Sequence, residues 1–333
     1  MRFAPLGEEG QRRLLAGRAL ICGCGALGTV LAETLTRAGV GFLRIVDRDF
    51  VELNNLQRQV LFDEQDALSV IPKAVAATEK LRRINSEIEI EPLVADVDQT
   101  NIISLCRDVG VILDGTDNFE TRFLINDAAI KLNIPWVYGG CLGAEGQTLT
   151  ILPGETPCLR CLMQDAPPPG TMPTCDTAGV LAPAVNIVAS LQALEAIKIL
   201  SGHREAINRG WTIVDLWENR LRQIQVASLR ESGDCPACKR GELAWLEGDR
   251  AARSAVLCGR NAVQLSFPDR RRLSLDDLAP RLEGAGTVMR NPFLLRLTVE
   301  PYVLTVFADG RAIIGGTDDI SVARNLYAKY IGN

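Results

Sequence analysis

The feature that most constrains this chain is a glycine-rich turn between an apolar strand and a helix. RALIC (18–22) has the apolar run of a buried strand, GCGALG (23–28) follows it directly, and TVLAETLTRAG reads as a helix ending at Gly39. Glycine permits both the tight turn and the left-handed helix stop. A second strand, FLRIVD (42–47), comes next. This order predicts a parallel sheet whose first helix presents free N–H groups to a phosphate.

The alternation of strands and helices continues along the first part of the chain. IPKAVAATEKLRRIN (71–85) has helical apolar spacing with Pro72 at its first position, and TLTILPG (148–154) is predicted to form an antiparallel edge strand. The remaining segments are three strands, a long helix and a β-hairpin: IEIEPLVADV (88–97), VGVILDGTD (109–117), IPWVYGGCLG (134–143), NIVASLQALEAIKILSG (186–202) and TIVDLWENRLRQIQVA (212–227). The pattern predicts an α/β fold with a doubly wound, mostly parallel Rossmann-like sheet and an antiparallel edge.

The character of the sequence changes after Arg240. The segments that follow predict strand, helix, strand, hairpin and terminal helix, and ADGRA (308–312) suits the hairpin turn because Asp-Gly tolerates positive φ. We therefore expect a nucleotide-binding domain with structural zinc at 1–240 and a smaller α+β domain at 241–333. No chemistry is assigned to the smaller domain, because the surroundings of Cys258 favour a buried core thiol over a sulfur-transfer loop.

Composition disfavours several classes of partner. Hydrophobic residues make up 47% and charged residues 23% of the chain, and its net charge of −5 disfavours nucleic acid and anionic membranes. No run is expected to supply the about 20 apolar residues of a membrane span, and the N-terminal stretch lacks an apolar signal core. We therefore expect a cytoplasmic protein whose ten cysteines stay reduced. Its single histidine, His203, disfavours mechanisms that need a histidine pair.

Polar residues after the second strand favour a triphosphate over a nicotinamide cofactor. Asp47, 19 residues beyond Gly28, suits ribose hydroxyls, and on this evidence alone an NAD-dependent dehydrogenase would be the default. Asn55, Arg58 and Gln59 follow shortly after that carboxylate. An arginine and amides suit phosphates better than a nicotinamide ring, which needs an apolar slot.

Two further residues fit a magnesium–nucleotide complex. Lys73 opens a helix, where its ammonium adds to the positive end of the helix dipole, and Asp117 lies at the end of a buried strand in DGTDN. A carboxylate beside polyphosphate is best explained as a ligand of Mg²⁺. Taken singly, Arg58 or Lys73 also fits a surface salt bridge, and Asp117 a turn cap. Their occurrence together in this order favours the binding site.

Two C-x-x-C pairs predict a structural zinc site. CLRC and CPAC, about 70 residues apart, offer four thiolates, which is the tetrahedral set of closed zinc sites. The predicted ligands are Cys158, Cys161, Cys235 and Cys238. A redox C-x-x-C is the disfavoured alternative, because there are two pairs. Between the first pair and Cys175, the proline-rich run 165–173 is expected to form an exposed, mobile loop.

Together these motifs resemble those of the ThiF/MoeB/HesA proteins, bacterial relatives of the ubiquitin-activating enzymes. The resemblance rests on GCGALG, DRDFVELNNLQRQ, IPK, DGTDNFETR, the two C-x-x-C pairs and TCDTAGVLAP, from about Gly7 to Arg240. It implies that residues 1–240 form an adenylyltransferase domain that uses Mg-ATP. The implied substrate is the C-terminal Gly-Gly carboxylate of a ubiquitin-like sulfur carrier protein in thiamine thiazole or molybdopterin synthesis. The segment after Arg240 looks like the extension of some ThiF-type proteins of Gram-positive bacteria.

The resemblance also implies partners and residue roles. A sulfurtransferase or cysteine desulfurase would donate sulfur, and the enzyme would be a symmetric homodimer; the composition, as above, predicts no nucleic-acid or membrane partner. The implied catalytic residues are Arg58, Lys73, Asp117, which would bind Mg²⁺, and Cys175, which matches a thiol that links to the activated carrier in some relatives. The implied nucleotide-binding residues are Gly23, Gly25, Ala26, Gly28, Asp47, Asp49, Asn55, Gln59 and Asn118. An inert thiol is the alternative for Cys175.

Two departures from the family pattern bear on activity. Ala26 stands where members usually have glycine, and little harm is expected because the backbone N–H is kept. The usual upstream R-Y-x-R-Q segment, whose arginine reaches the ATP of the partner subunit, has no counterpart before Phe3. Either the start lies further upstream, or Arg2 or Arg12 substitutes, or turnover is impaired. The alternative functions are therefore a non-catalytic nucleotide-binding scaffold and, less favoured, an NAD-dependent dehydrogenase.

Overall fold

The computed structural model describes residues 3–167, 178–231, 233–248, 254–257, 261–265 and 273–332. Cys175, Cys258 and Arg2 lie outside these residues, so their predicted roles stay predictions. The chain divides into two compact units, Met1–Arg250 and Ala251–Asn333. The functional domains expected at 1–240 and 241–333 also stay a prediction.

The first unit is built around one eight-stranded sheet. Its strands are β1 (Arg18–Cys22), β2 (Phe42–Asp47), β3 (Glu89–Val94), β4 (Val111–Asp114), β5 (Trp136–Leu142), β6 (Glu145–Ile151), β7 (Trp211–Asp215) and β8 (Arg220–Ile224). They lie in the order β3-β2-β1-β4-β5-β6-β7-β8. Neighbours from β3 to β5 pair in parallel, and those from β5 to β8 pair antiparallel. This confirms the predicted mostly parallel α/β fold.

Helices provide an apolar core on each face of this sheet. Along β1, Leu20 belongs to one core cluster and Ile21 to the other, which is why this strand is apolar throughout. The helices are α1 (Gly7–Ala16), α2 (Ala26–Ala38), α3 (Glu64–Leu68), α4 (Lys73–Ile84), α5 (Ile102–Leu105), α6 (Phe119–Leu132), α7 (Leu159–Leu162), α8 (Ala182–Ser201) and α9 (Ala227–Glu231). Gly39 ends α2 in the left-handed conformation, as predicted, with φ of +78°.

The chain order creates a switch point beside β1. From β1 the chain builds β2 and β3 on one side, and it then crosses to form β4 on the other side. The register aligns the ends of three strands, because Cys22 lies opposite Val46 of β2 and Asp114 of β4. In sheets of this kind ligands bind at the carboxyl edge of the switch point. The turns after β1, β2 and β4 all begin there.

Two local predictions need correction. The strand expected at 148–154 is antiparallel, but it is not an edge strand, because β7 pairs with its outer side and the fully exposed β8 forms the edge. The helix expected to begin at Pro72 begins instead at Lys73. Pro72 is extended, with ψ of 137°, and forms a β-bridge with Phe50 that holds it outside the helix.

Helix α8 is long and apolar enough to cross a membrane by length and composition, contrary to the expectation from the sequence. Half of its most apolar window is buried within the protein. Val188, Ala189 and Ala193 belong to the core cluster that also contains strand residues of the sheet. Its apolar composition is therefore that of a helix packed against a buried sheet face.

The second unit, described by itself, contains a six-stranded antiparallel sheet. Its elements are β9 (Ser254–Leu257), β10 (Ala262–Leu265), α10 (Leu275–Leu282), β11 (Thr287–Arg290), β12 (Leu294–Val299), β13 (Tyr302–Phe307), β14 (Ala312–Gly315) and α11 (Ile320–Tyr330). The strand order is β11-β12-β13-β14-β10-β9. Gly310 in the predicted Asp-Gly turn has φ of +86°, a left-handed conformation that glycine adopts more easily than other residues. Strand β11 was not predicted, because its exposed residues show no clear alternation.

Candidate active site

The glycine-rich turn after β1 contains two packing glycines and one that faces open space. A Cβ on Gly28 would lie 1.9 Å from the carbonyl oxygen of Gly23, and one on Gly23 would lie 2.7 Å from that of Gly115. A Cβ on Gly25 would meet no atom of the described residues within 4 Å. Gly25 precedes α2, whose N-terminus has no side-chain cap. The turn therefore leaves backbone donors and room for a phosphate at Gly25 and Ala26.

Asp47, the last residue of β2, fixes this turn. Its two carboxylate oxygens accept the backbone N–H groups of Cys24, at 2.6 Å, and Asp49, at 2.7 Å. Burial raises the pKa of the Asp47 carboxyl, and the nearby Lys73 ammonium opposes that rise. Each carboxylate oxygen can accept a second hydrogen bond. The group predicted to hold a ribose therefore also orders the loop predicted to bind the phosphates.

Lys73 lies at the start of α4 with only 4% of its side chain exposed. Its Nζ is 3.4 Å from Oδ2 of Asp49, and its backbone N–H donates to the carbonyl of Asp49 at 2.9 Å. Burial of an ammonium is costly unless a carboxylate lies close to it. The structure thus brings the lysine of the IPK motif onto the DRD motif at the carboxyl edge of β2.

The residues after β2 form a compact polar turn around Asn55. Asn55 is 2% exposed, and its Oδ1 accepts a hydrogen bond from Nη2 of Arg58 at 2.9 Å. Nη1 of Arg58 donates to the carbonyl of Asn54 at 3.2 Å. Gln59 is also buried, and its Oε1 has no hydrogen-bond partner among the described residues. A ligand donor would satisfy that acceptor, which fits a bound nucleotide.

Asp117 lies exposed in the turn that joins β4 to α6. The next residue, Asn118, accepts the backbone N–H of Thr121 at 2.9 Å and so caps α6. This cap fixes one end of the turn, and the predicted nucleotide contact of Asn118 stays a prediction. An exposed carboxylate at the switch point is the kind of oxygen ligand that fits Mg²⁺ bound to phosphates.

Two arginines at this edge of the sheet were missed by sequence reasoning. Arg122 is 7% exposed, and its Nε lies 3.1 Å from Oδ2 of the fully buried Asp114. Nη1 of Arg48 lies 3.3 Å from Oδ1 of Asp96, just beyond β3. For Arg122 the available signal was its place directly before the mostly apolar helical run FLINDAAI (123–130), where a charged side chain needs a buried partner.

The four predicted zinc ligands are brought together from the two distant pairs. All four Sγ atoms of Cys158, Cys161, Cys235 and Cys238 lie within 4.8 Å of one another. Sulfur–sulfur distances are 3.8 Å within the first pair and 3.6 Å and 3.5 Å across the pairs. A tetrahedral zinc with Zn–S bonds of about 2.3 Å has edges of about 3.8 Å. The cluster is therefore compatible with a structural zinc.

Helix α6 contacts the segments that carry both cysteine pairs. Oδ1 of Asn126 accepts the backbone N–H of Leu159 at 2.8 Å, next to Cys158. Oδ2 of Asp127 accepts the backbone N–H of Trp245 at 3.0 Å, beyond the second pair. The Trp245 ring also stacks on Phe123 of the helix, with centroids 5.3 Å apart. Both polar side chains are fully buried, so these bonds are made without competition from solvent.

The buried carboxyl of Asp127 predicts a pH dependence of stability. Burial raises its pKa to about 6, although the two backbone donors oppose the rise. The folded protein therefore binds more protons than the unfolded chain between about pH 4 and pH 6. The stability that the buried, protonated Asp127 carboxyl gives the folded state is fully present below about pH 4 and is lost as pH rises through about 6.

Asp127→Asn removes the titrating group and keeps an oxygen acceptor for the Trp245 N–H. Wild type should lose about 1 kcal/mol of unfolding free energy between pH 5 and pH 8 through ionisation of this carboxyl. The variant should not show this loss, so its stability relative to wild type should rise by the same amount across the range. Chemical denaturation of both proteins at several pH values measures the difference. Parallel curves for the two proteins across this range would contradict the assignment.

Comparison with known proteins gives matches along most of the chain. Residues 1–237 match a family model described as the ThiF family. The chain is 46% identical over 332 residues to the sulfur carrier protein ThiS adenylyltransferase of Bacillus subtilis (strain 168), covering 99% of this chain and 97% of that protein. It is 37% identical over 302 residues to the adenylyltransferase and sulfurtransferase MOCS3 of Sus scrofa, covering 90% of this chain and 64% of that protein. The crystal structure of E. coli MccB with ATP superimposes with a TM-score of 0.59 at 22% identity, over 69% of this chain and 68% of that chain, which indicates a shared fold.

Proposed function

This chain belongs to the ThiF family, and we propose that it adenylates the C-terminal Gly-Gly carboxylate of a ubiquitin-like sulfur carrier protein at the expense of ATP. It is an adenylyltransferase that serves thiamine or molybdopterin synthesis. The observation that carries this assignment is the meeting of three elements at the switch point: the open turn at Gly25, the Lys73–Asp49 pair and the exposed Asp117. The cytoplasm, where such carriers are made, is the proposed location.

The reaction is a displacement at the α-phosphorus of ATP. A carboxylate oxygen of the carrier forms the new P–O bond, and the bond from the α-phosphorus to the bridging oxygen of pyrophosphate breaks. The products are the carrier acyl-adenylate and pyrophosphate. No proton has to leave the attacking carboxylate, so positioning and electrostatic stabilisation supply the catalysis. This agrees with a chain that has a single histidine.

Each nearby residue has a proposed part in this displacement. Backbone N–H groups at Gly25 and Ala26 bind phosphate oxygens, and Asp47 binds the ribose. Lys73 and Arg58, the latter held by Asn55 at 2.9 Å, oppose the charge that develops on the phosphates. Asp117 would hold Mg²⁺, which when bound supplies neutralisation of the phosphate oxygens. The displaced pyrophosphate makes the reverse reaction measurable as exchange.

Structural zinc, a sulfur donor and a second subunit complete the proposal. The four clustered thiolates would hold Zn²⁺, and the thiolate of Cys175 would attack the acyl carbon of the acyl-adenylate, forming a thioester with the carrier as AMP leaves. A sulfurtransferase or cysteine desulfurase would then supply sulfur. The enzyme would act as a homodimer, in which Arg12, exposed on α1 and 3.0 Å from Glu9, is one candidate for the arginine that reaches the partner's nucleotide.

Carrier-dependent pyrophosphate exchange tests the function directly. With Mg-ATP and the cognate carrier, labelled pyrophosphate should enter ATP, and AMP should form when a thiol acceptor is supplied. A carrier that lacks its final glycine should give less than about 1% of this rate, because its carboxylate no longer reaches the α-phosphorus. A carrier with a substitution far from its C-terminus is the control. Exchange that is absent with every carrier would overturn the proposal.

Pyrophosphate exchange, together with a cofactor titration, separates this function from the two alternatives, a non-catalytic scaffold and an NAD-dependent dehydrogenase. A scaffold would bind Mg-ATP and the carrier but would give no exchange. A dehydrogenase would bind NADH in preference to ATP, which a cofactor titration would reveal. The buried ammonium of Lys73 at this edge favours a polyphosphate over a nicotinamide ring.

A further inference from the structure

The turn that carries Asp117 is held by a buried hydrogen-bond network centred on one carboxylate. Asp114 is fully buried, and its Oδ1 accepts both the backbone N–H of Thr116, at 2.9 Å, and its hydroxyl, at 2.7 Å. Its Oδ2 accepts from Nε of Arg122 at 3.1 Å and from the backbone N–H of Gly139 at 3.4 Å. Both oxygens are therefore used within the protein.

Arg122 joins three backbone segments through this network. Besides Asp114 at the end of β4, its Nη2 donates to the carbonyl of Thr116, at 2.8 Å, and to that of Gly139 in β5, at 3.1 Å. The guanidinium also lies 5.4 Å from the ring centroids of Phe119 and Tyr138. A planar group with several donors in fixed directions makes such a bridge, whereas an ammonium on a flexible stem does not.

The arrangement has a direct consequence for Asp117. The backbone is fixed on the near side of Asp117 by the Thr116 contacts, and on the far side by the Asn118 cap. Between these anchors Asp117 itself is exposed. The rigid parts of the turn thus determine where an otherwise solvent-facing carboxylate is held.

We propose that Arg122 is a positioning residue for the metal–nucleotide complex: it holds the turn 115–118 so that Asp117 lies at the correct distance for Mg²⁺ on the phosphates. Arg122 does not touch the nucleotide in this proposal. The inference rests on the proposed function, because it assumes that Asp117 faces Mg-ATP. Groups that orient a metal ligand typically change metal affinity by about 10–100-fold when altered.

The test uses Arg122→Lys, which keeps the positive charge beside Asp114 but loses the bridge. The free Mg²⁺ concentration for half-maximal pyrophosphate exchange should rise by about 10-fold at saturating ATP, whereas the rate at saturating Mg²⁺ should stay within about threefold of wild type. Binding of Mn²⁺ to the enzyme with a non-hydrolysable ATP analogue, followed by electron paramagnetic resonance, should weaken by a similar factor.

Arg44→Lys is the matched control. Nε of Arg44 lies 2.6 Å from Glu91, and its Nη1 donates to the carbonyls of Leu105, at 2.6 Å, and Arg107, at 3.0 Å. It therefore loses an equivalent carboxylate-and-carbonyl bridge at a position away from the carboxyl edge of the sheet. Its melting temperature should fall as for Arg122→Lys, but its metal dependence should stay that of wild type.

The outcomes distinguish the positioning role of Arg122 from the proposed function of the enzyme. Equal Mn²⁺ affinity in wild type and Arg122→Lys, with a lowered melting temperature, would overturn the positioning role. If Arg122→Lys does not fold, Thr116→Val removes one bond to Asp114 and should weaken Mn²⁺ binding several-fold; unchanged binding in that variant also overturns the role. Absence of exchange in wild type would overturn the proposed function, and the Mn²⁺ titration would still decide the role of Arg122.

Discussion

Replacing Lys73 with methionine is expected to lower the kcat/KM of carrier-dependent pyrophosphate exchange by about 10²–10³-fold. The Lys73 side chain is 4% exposed and lies at the carboxyl edge of β2, at the N-terminal end of α4. In this buried position the Lys73 ammonium should stabilise developing phosphate charge far more than a solvated lysine does, because the effective dielectric constant is low. Methionine keeps most of the apolar stem and removes only the charge.

Lys80→Met on the same helix is the control for this prediction. Lys80 also pairs with carboxylates, with Asp63 at 2.6 Å and with Asp66, but these lie on and before α3 instead of at the strand ends. Its exchange rate should stay within about twofold of wild type, because a partly exposed ion pair away from the nucleotide stabilises the fold only modestly. A Lys73→Met enzyme that exchanges as fast as Lys80→Met would remove Lys73 from the mechanism.

Loss of one clustered thiolate should have the largest effect on stability. Cys158→Ala leaves three sulfur ligands, so bound zinc is expected to fall from one per chain to well below that. The melting temperature should drop by about 10 °C or more, because zinc binding by a closed thiolate site contributes directly to folding free energy. Elemental analysis and thermal unfolding of the purified protein measure both changes.

Cys106→Ala supplies the comparison for the metal site. Cys106 is a buried thiol of the same apolar core, but it lies outside the four-cysteine cluster. This variant should keep one zinc per chain and lose only the stability of a small core side chain. Full zinc content in Cys158→Ala, or no zinc in wild type, would show that the cluster does not serve as a structural zinc site.

The fold could be predicted from the sequence where local pattern and long-range packing agree. The bounds of β1 and β2 matched the prediction because apolar runs end there at a glycine turn and at a charged residue. The position of β6 in the strand order could not be predicted, because periodicity shows that a strand is buried but does not identify its neighbours. The four cysteines were predicted because the C-x-x-C spacing itself encodes the chemistry.

The candidate site was predictable in its residues but not in their connections. Motif spacing pointed to Asp47, Lys73 and Asp117, whereas the bonds of Asp47 to Cys24 and Asp49 depend on how the turns close. Arg122 was missed because its partner Asp114 and its second contact at Gly139 lie on different strands. The apolar run beside Arg122 indicates that its charge needs a buried partner but does not identify that partner, because the contact arises only when the sheet has formed.

Helix α6 physically joins the turn that carries Asp117 to the segments that carry the four clustered cysteines. Its first turns carry the cap and the arginine that hold the Asp117 turn, and Asn126 and Asp127 further along bind the two cysteine-bearing segments. Protons on the amides of α6 should therefore exchange with solvent as one cooperative group. If the four cysteines hold the proposed zinc, its removal should speed that exchange along the whole helix, including the turns that hold Asp117.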